Sequence, residues 1–264
     1  MGAKASKLLA HKPGKEMKLE KTSRVYAQVD GSMLLTREEN WKETKVGRLF
    51  FEHDVYQENE QRGWIKSSQY IAHLGDHEEF EDKMSQLIDP YASQNESLIF
   101  VTDGARWISS WISAEYPKAT QILDFYHAME HLGVFAKAHF EDNLARDYWI
   151  EENRIRFKEQ GVKEVIKEIR KLEITKKQVK QERKKLLNYY RKNAYRMDYP
   201  NYLEKGLVIG SGAIEAAHRT LIQSRMKLSG QRWSKCGAQK MLDLRALQMS
   251  GRWNEVVDLL RKAA

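Results

Sequence analysis

The periodicity of this chain changes in a fixed order, and that order limits what it can fold into. From Val25 to about Leu74 the apolar residues favour strands: Val25-Tyr26-Ala27-Gln28-Val29, Ser32-Met33-Leu34-Leu35-Thr36, Lys45 to Phe51, and Gln69 to His73. Such runs predict an antiparallel meander of about three strands. The spacing then turns helical from His77 to Tyr91, with Phe80, Met84, Leu87 and Ile88 on one face, Asp76 as N-cap and Pro90 closing the helix. Ser97 to Thr102 is a strand and Ala105 to Tyr116 a helix stopped by Pro117. Thr120 to Leu123 is a further strand, and a helix starts near Phe125. A meander followed by helix–strand–helix–strand–helix is the order expected of an α/β domain of the ribonuclease-H-like kind, a mixed sheet flanked by helices.

The next stretch is different. From Asp142 to Tyr195 the chain is rich in Lys, Glu and Arg, and no proline occurs between Pro117 and Pro200. Ile155, Val162 and Ile169 recur at seven residues, as do Val165, Leu172, Val179 and Leu186, which together make a heptad seam. Lys176 and Arg183 interrupt the first series. The seam suits an all-helical insertion, read either as a hairpin or oligomer contact or as solvated helices packed on their own domain. Beyond Pro200, Gly206 to Gly212 is a loop, and Ser211 is placed to cap a helix carrying Ile214, Glu215, His218, Leu221 and Ile222. A last helix covers about Ala238 to Leu247. The expected division is a basic arm over 1–24, the first part of the core over 25–141, the helical insertion over 142–200, and a C-terminal helical part of the core over 201–264.

Two strand-like runs end in the same dipeptide, Asp30-Gly31 and Asp103-Gly104. Strand ends in α/β sheets collect ligand and metal chemistry, and neighbouring strands would aim two carboxylates at one point. Asp-Gly is also the leading hairpin signal, so Asp30 taken alone reads as a turn residue, and Asp103 can be read as a helix cap. Glu215 lies four residues after Ser211, one beyond the capping-box position. It reads either as a first-turn carboxylate facing the helix dipole or as a third ligand. Three hard-oxygen donors suit two Mg²⁺ ions about 4 Å apart.

Charge and cysteine content narrow the partners. The net charge of +8 favours a polyanion, nucleic acid before a membrane surface. Arg219, Arg225, Lys227 and Arg232, with Lys235 and Trp233 among them, form a candidate DNA-backbone surface with an aromatic ring available for stacking. No apolar run approaches the length that spans a bilayer. The single cysteine, Cys236, excludes a disulfide framework and a Cys-rich zinc module and fits a reducing cytosol.

Five segments in order resemble one family. They are Asp103-Gly104-Ala105-Arg106-Trp107-Ile108, Ile122 through Leu132, Ile209-Gly210-Ser211-Gly212-Ala213-Ile214-Glu215, Gly230 through Ser234, and Leu244 through Leu247. Together they are similar to the catalytic half of bacterial insertion-sequence transposases of the ISKra type, DDE enzymes related to the Mutator-like superfamily. The resemblance runs from about Val25 to Trp253. It implies a ribonuclease-H-like fold with a helical insertion before the last acid, and Asp30, Asp103 and Glu215 as catalytic and metal-binding residues. It also implies Mg²⁺, with Mn²⁺ as substitute, in cleavage and strand transfer of double-stranded DNA at element ends. A homo-oligomer on DNA in the bacterial cytoplasm, at the nucleoid, is the matching expectation. Members of that group carry a longer N-terminal region for recognising element ends than precedes Val25 here.

Two alternatives stand beside this expectation. One is a transposase-derived DNA-binding protein without catalysis. The other is a zinc hydrolase, because His127-Ala128-Met129-Glu130-His131 matches H-x-x-E-H, which sets two imidazoles on one helical face. Under the transposase expectation His127 instead contacts DNA or the scissile phosphate, and His131 is structural.

Overall fold

The structure, a computed structural model, describes residues 24–59 and 62–261. The expected basic arm lies outside the described residues except for Arg24, whose guanidinium pairs with Glu52 at 2.7 Å. The chain is an α/β protein built on a mixed five-stranded sheet. Its strands are β1 (Val25–Thr36), β2 (Asn40–Phe51), β5 (Gln69–Leu74), β6 (Leu98–Thr102) and β7 (Thr120–Leu123), in the order β5-β2-β1-β6-β7. β1, β2 and β5 are antiparallel neighbours, as the alternating runs predict. A separate hairpin, β3 (Val55–Asn59) with β4 (Arg62–Ile65), branches from the far end of β2.

The first correction concerns Asp30-Gly31. It neither turns the chain nor ends a strand, because the two expected strands, 25–29 and 32–36, are one. Asp30 sits mid-strand opposite Val46, and the pairing continues to Thr36 opposite Asn40. The turn falls at Arg37, Glu38 and Glu39, followed by Asn40 at φ 58°, a left-handed position that Asn tolerates. Thr36 secures it: its Oγ1 donates to the Asn40 carbonyl at 2.9 Å and accepts from the Glu39 amide at 3.2 Å. Leu34 supplies the reason for the longer strand, since it reaches a buried cluster that a turn at residue 30 would deny it.

The described residues divide into two compact units, one drawn from 24–59, 62–100, 106–120 and 212–261, the other from 101–105 and 121–211. The first contains α1 (His77–Ile88), α2 (Arg106–Glu115), α8 (Gly212–His218), a π-helical turn (Arg219–Gln223), α9 (Ser224–Met226), α10 (Lys235–Met249) and α11 (Trp253–Arg261). One sheet face carries Leu34, Val46, Ala72 and Leu74 against Ile214, Ala217, Leu221, Ile222, Ala238 and Leu242. The other face receives α1 over Gly47, where a Cβ would lie 2.5 Å from Met84 Sδ, so only glycine admits so close a helix. Asp76 occupies the N-cap position of α1 but makes no capping bond with its side chain.

The second unit is helical apart from its strand ends. It contains α3 (Phe125–His139), α4 (Asn143–Glu159), α5 (Val162–Lys171), α6 (Lys177–Asn193) and α7 (Tyr199–Glu204). The heptad seam is not continuous: Gly161, at φ 84°, separates α4 from α5, and an extended stretch separates α5 from α6. Val162, Val165, Ile169, Val179 and Leu186 are buried within the unit, while Ile155 stays exposed. Period seven therefore reports short helices folded on one another. Aromatic rings close the core, with Phe125, Phe157, Tyr190 and Tyr199 meeting edge to face. Their hydroxyls are used, Tyr190 donating to the Ala128 carbonyl at 2.8 Å and Tyr199 to that of Leu123 at 3.0 Å.

Candidate functional site

Strand β1 presents Asp30 on the same face as Leu34, the face that α8 to α10 cover. One carboxylate oxygen, Oδ1, accepts from the Gly31 amide at 2.7 Å. The other, Oδ2, lies 3.3 Å from His218 Nε2. His218 is only 3% exposed, and neither ring nitrogen has well-formed hydrogen-bond geometry to any described residue. Burial pushes the imidazole below its usual range, against the pull of the Asp30 charge, so the ring is held towards its neutral form. Two more polar atoms on this face, Ser32 Oγ and Thr44 Oγ1, are buried without a hydrogen-bond partner among the described residues. Buried polar atoms left this way mark places where a ligand or water completes the bonding.

The helix bearing His218 also bears Glu215, three residues earlier and exposed. Its position is fixed by two arginines. Arg48 on β2 donates from Nη1 to the Ala213 carbonyl at 2.7 Å and from Nε to Ser68 Oγ at 2.9 Å. Its guanidinium lies over the rings of Phe50 and Tyr70, and burial lowers its pKa. Arg245 on α10 takes carbonyls at the π-helical turn, donating to Thr220 and, at 3.4 Å from Nε, to Leu221. A π turn disturbs the regular carbonyl pairing of a helix and is frequent at functional sites, and this one begins at the residue after His218.

The basic residues picked from the sequence follow directly. Arg219, Arg225 and Arg232 are exposed, and so is Lys227, whose pKa is lowered by partial burial and raised by the Asp30 charge. Trp233 is half-buried. Its ring packs on the α8–α10 cluster, its Nε1 donates to the Met226 carbonyl at 3.1 Å, and its backbone pairs with the end of β1 at Leu35 and Arg37.

In the second unit Asp103 follows β6 directly. Its Oδ1 accepts from the Ala105 amide at 2.9 Å, the turn-forming bond typical of Asp ahead of a helix. Gly104 lies under Tyr189, where a Cβ would be 2.6 Å from the ring. Tyr189 Oη is buried without a hydrogen-bond partner among the described residues, and burial drives its pKa up. The same ring lies against His131, tilted by 30° with centroids 3.9 Å apart, and His131 meets His127 edge to face. His127 Nδ1 lies 3.5 Å from Glu130 Oε2. Burial, then the neighbouring His127, lowers the His131 pKa.

Sequence reasoning did not single out two site residues, His218 and Asp124. Asp124 is 3% exposed and ends β7 as the N-cap of α3. It accepts from the Tyr126 amide at 3.0 Å, the Ser211 amide at 3.2 Å and Ser211 Oγ at 2.5 Å. Ser211, expected to cap its own helix, therefore donates its hydroxyl to this buried carboxylate instead, because a buried charge needs donors more than a helix end does. The signal for Asp124 was present, an acid closing a strand before a helix. His218 had none beyond its place in an apolar helical face.

Carboxylate oxygens are the donors that Mg²⁺ prefers, so the chemistry of Asp30, Asp103 and Glu215 fits that ion. Among the described residues, no group of three or more His, Cys, Asp or Glu side chains is gathered so that it could hold a metal ion. No helix among them is long and apolar enough to cross a membrane.

Fold and site thus define an α/β protein whose mixed five-stranded sheet carries acidic residues on β1 and just beyond β6 and β7. The chain belongs to an uncharacterised protein family, UPF0236, whose model matches residues 6–262. No curated protein matches it.

Proposed function

We propose that this chain is the catalytic region of a DDE-type DNA transposase with a ribonuclease-H-like sheet. What supports the reading most is the order of elements. Three antiparallel strands come first, β6 then takes its place beside β1, and Asp103 follows β6 directly. Glu215 arrives on a helix only after the run of helices from Asn143 to Glu204. That is the arrangement implied by the five ordered motifs resembling ISKra-type transposases.

In this reading Asp30, Asp103 and Glu215 are the carboxylates that would hold two Mg²⁺ ions. Bound there, the ions would activate the attacking oxygen and stabilise the leaving one. The chain's own part is to bind and orient. Arg219, Arg225, Lys227 and Arg232 attract the DNA backbone, and His127 is available to a phosphate beside Asp103. Gly31 fixes one oxygen of Asp30, and Ala105 fixes one of Asp103, so neither carboxylate rotates freely. In the first step water attacks the phosphorus at the element end, the 3′-oxygen leaves and takes up a proton, and a 3′-hydroxyl is set free. In the second, that hydroxyl attacks a target phosphodiester in line and displaces the target's own 3′-oxygen. The working form would be a homo-oligomer on double-stranded DNA in the bacterial cytoplasm.

The deciding experiment is Asp103→Asn in a nicking assay with Mg²⁺ or Mn²⁺. Nicking is lost while DNA binding persists with its steep salt dependence. Nicking at the wild-type rate sinks the assignment. Salt-dependent binding by the wild type with no cleavage in either metal points instead to a transposase-derived DNA-binding protein.

A further inference from the structure

We infer that the outward face of α4 is a contact between two copies of this chain, in which the two α4 helices lie antiparallel across a twofold axis. Helix α4, Asn143–Glu159, carries apolar residues on two opposite faces. One face packs inward. The Trp149 ring meets Phe135 and Phe140, Asn153 is fully buried, and Phe157 meets Phe125 and Tyr190. The other face is open to solvent, with Leu144 81% exposed, Tyr148 69% and Ile155 47%. At about 100° per residue these three and Glu151 fall within about 60° of one another, on the side opposite Asn153. Their spacing of four, three and four is the seam of a coiled coil. Ile155 is the member of the heptad series that the core leaves outside.

Single exposed apolar residues are ordinary, whereas a stripe of them on the outer side of a helix marks an interaction surface. Its charges select a second copy as the occupant. Glu151 lies within the stripe, and Asp147, Glu152 and Arg154 flank it with both signs, which suits neither DNA nor a lipid surface. The stripe does complement itself. Antiparallel pairing that sets Ile155 on Leu144 of the second copy also sets Tyr148 on Glu151, so the phenol meets a carboxylate to which it can donate. The same register brings Asp147 beside Arg154, and symmetry repeats every contact. Parallel pairing would instead put Glu151 against its own copy and Asp147 beside Glu152. Within one chain Asp147 pairs with Arg146 at 2.9 Å, and Arg154 lies 3.7 Å from Glu151. Both pairs are exposed, so exchanging them for partners across the axis costs little. The stripe spans roughly 16 Å of helix, less than a standard interface covers, so the pairing alone is weak, with Kd about 100 µM. It is independent of what Asp30, Asp103 and Glu215 do.

The test is sedimentation equilibrium of the full chain from about 5 to about 500 µM, a range that brackets this Kd. We expect a monomer–dimer equilibrium. Ile155→Ser removes two contacts per dimer and weakens it by about 10-fold or more. Asp147→Arg and Arg154→Asp each set like charges together twice and weaken it by about 10-fold, while the double variant returns to within about threefold of the wild type. Thermal melting checks that each variant folds. If Ile155→Ser does not, the charge variants, which leave the apolar residues in place, decide. Orientation is read from disulfide cross-linking in a Cys236→Ser background. Leu144→Cys mixed with Ile155→Cys gives a cross-linked dimer, and neither alone does, because like positions lie about 16 Å apart. Four results would each overturn the proposal: a monomer at about 500 µM, which leaves the stripe to a partner of another kind; a dimer indifferent to these substitutions; a double charge variant no better than the single ones; or cross-links between like positions.

Discussion

His73 gives the fold a pH limit whose size can be worked out. It lies on β5, 6% exposed, with Lys83 Nζ 2.9 Å from its Nδ1 and Glu79 Oε2 3.6 Å from its Nε2. An ammonium can only donate, so Nδ1 accepts and the ring is held neutral, with its proton on Nε2. Burial first, then the charges of Lys83 and Lys45, depress its pKa from 6.5 to about 4, with Asp76 opposing and Lys42 adding. The sign follows from proton counting. Above pH 6.5 the ring is neutral in both states and its environment costs nothing. Between 6.5 and about 4 the unfolded chain takes up a proton that the fold refuses, so stability falls as pH falls through that window. At about 1.4 kcal/mol per pH unit, the loss over the window is about 3 kcal/mol. His73→Asn keeps an acceptor near Nδ1 but cannot titrate. Urea unfolding followed by circular dichroism at about pH 7 and about pH 4 should show the wild type losing about 3 kcal/mol more than the variant. Equal losses in the two proteins would refute the assignment of a neutral, proton-refusing His73.

Two other substitutions probe the second unit. Gly104→Ala puts a Cβ 2.6 Å from the Tyr189 ring, which also neighbours the tilted ring of His131 at 3.9 Å between centroids. It should cost about 1–3 kcal/mol in urea unfolding, most of it recovered in Gly104→Ala/Tyr189→Ala relative to Tyr189→Ala alone. Ser211→Ala removes the hydroxyl that donates to buried Asp124 at 2.5 Å, and should cost about 1.5–3 kcal/mol, as for hydrogen bonds to charged groups. An unchanged midpoint would mean that the two amides at Tyr126 and Ser211 satisfy that carboxylate unaided.

The legible parts of this fold are those whose cause is local. The helix of Phe80, Met84, Leu87 and Ile88 stands where its period put it, and all four are buried. The strands at 98–102 and 120–123 lie within a residue of their predicted bounds. Misreadings fall where a distant partner outvotes a local signal. Asp30-Gly31 has the composition of a hairpin turn, yet the strand runs through it because β2 offers pairing as far as Asn40 and the α8–α10 cluster offers Leu34 a place. Ser211 has the spacing of an N-cap, yet its hydroxyl is claimed by Asp124, 87 residues away. The heptad seam looks continuous in one dimension, but Gly161 folds it into separate helices.

The same logic explains why His218 could not be read from the chain. Its meaning depends on three contacts that lie far apart in sequence: Asp30 at its ring, Arg48 at the start of its helix and Arg245 at the π turn behind it. Helix α8 is only seven residues long, too short to hold its shape without partners, so these arginines fix both its position and its rotation. Glu215 and His218, three residues apart, then lie about 60° apart around one helix axis. A rotation that brought His218 away from Asp30 would swing Glu215 as well. An exposed carboxylate and a buried imidazole are therefore set by one rigid turn, and a change at Arg48 or Arg245 acts on both.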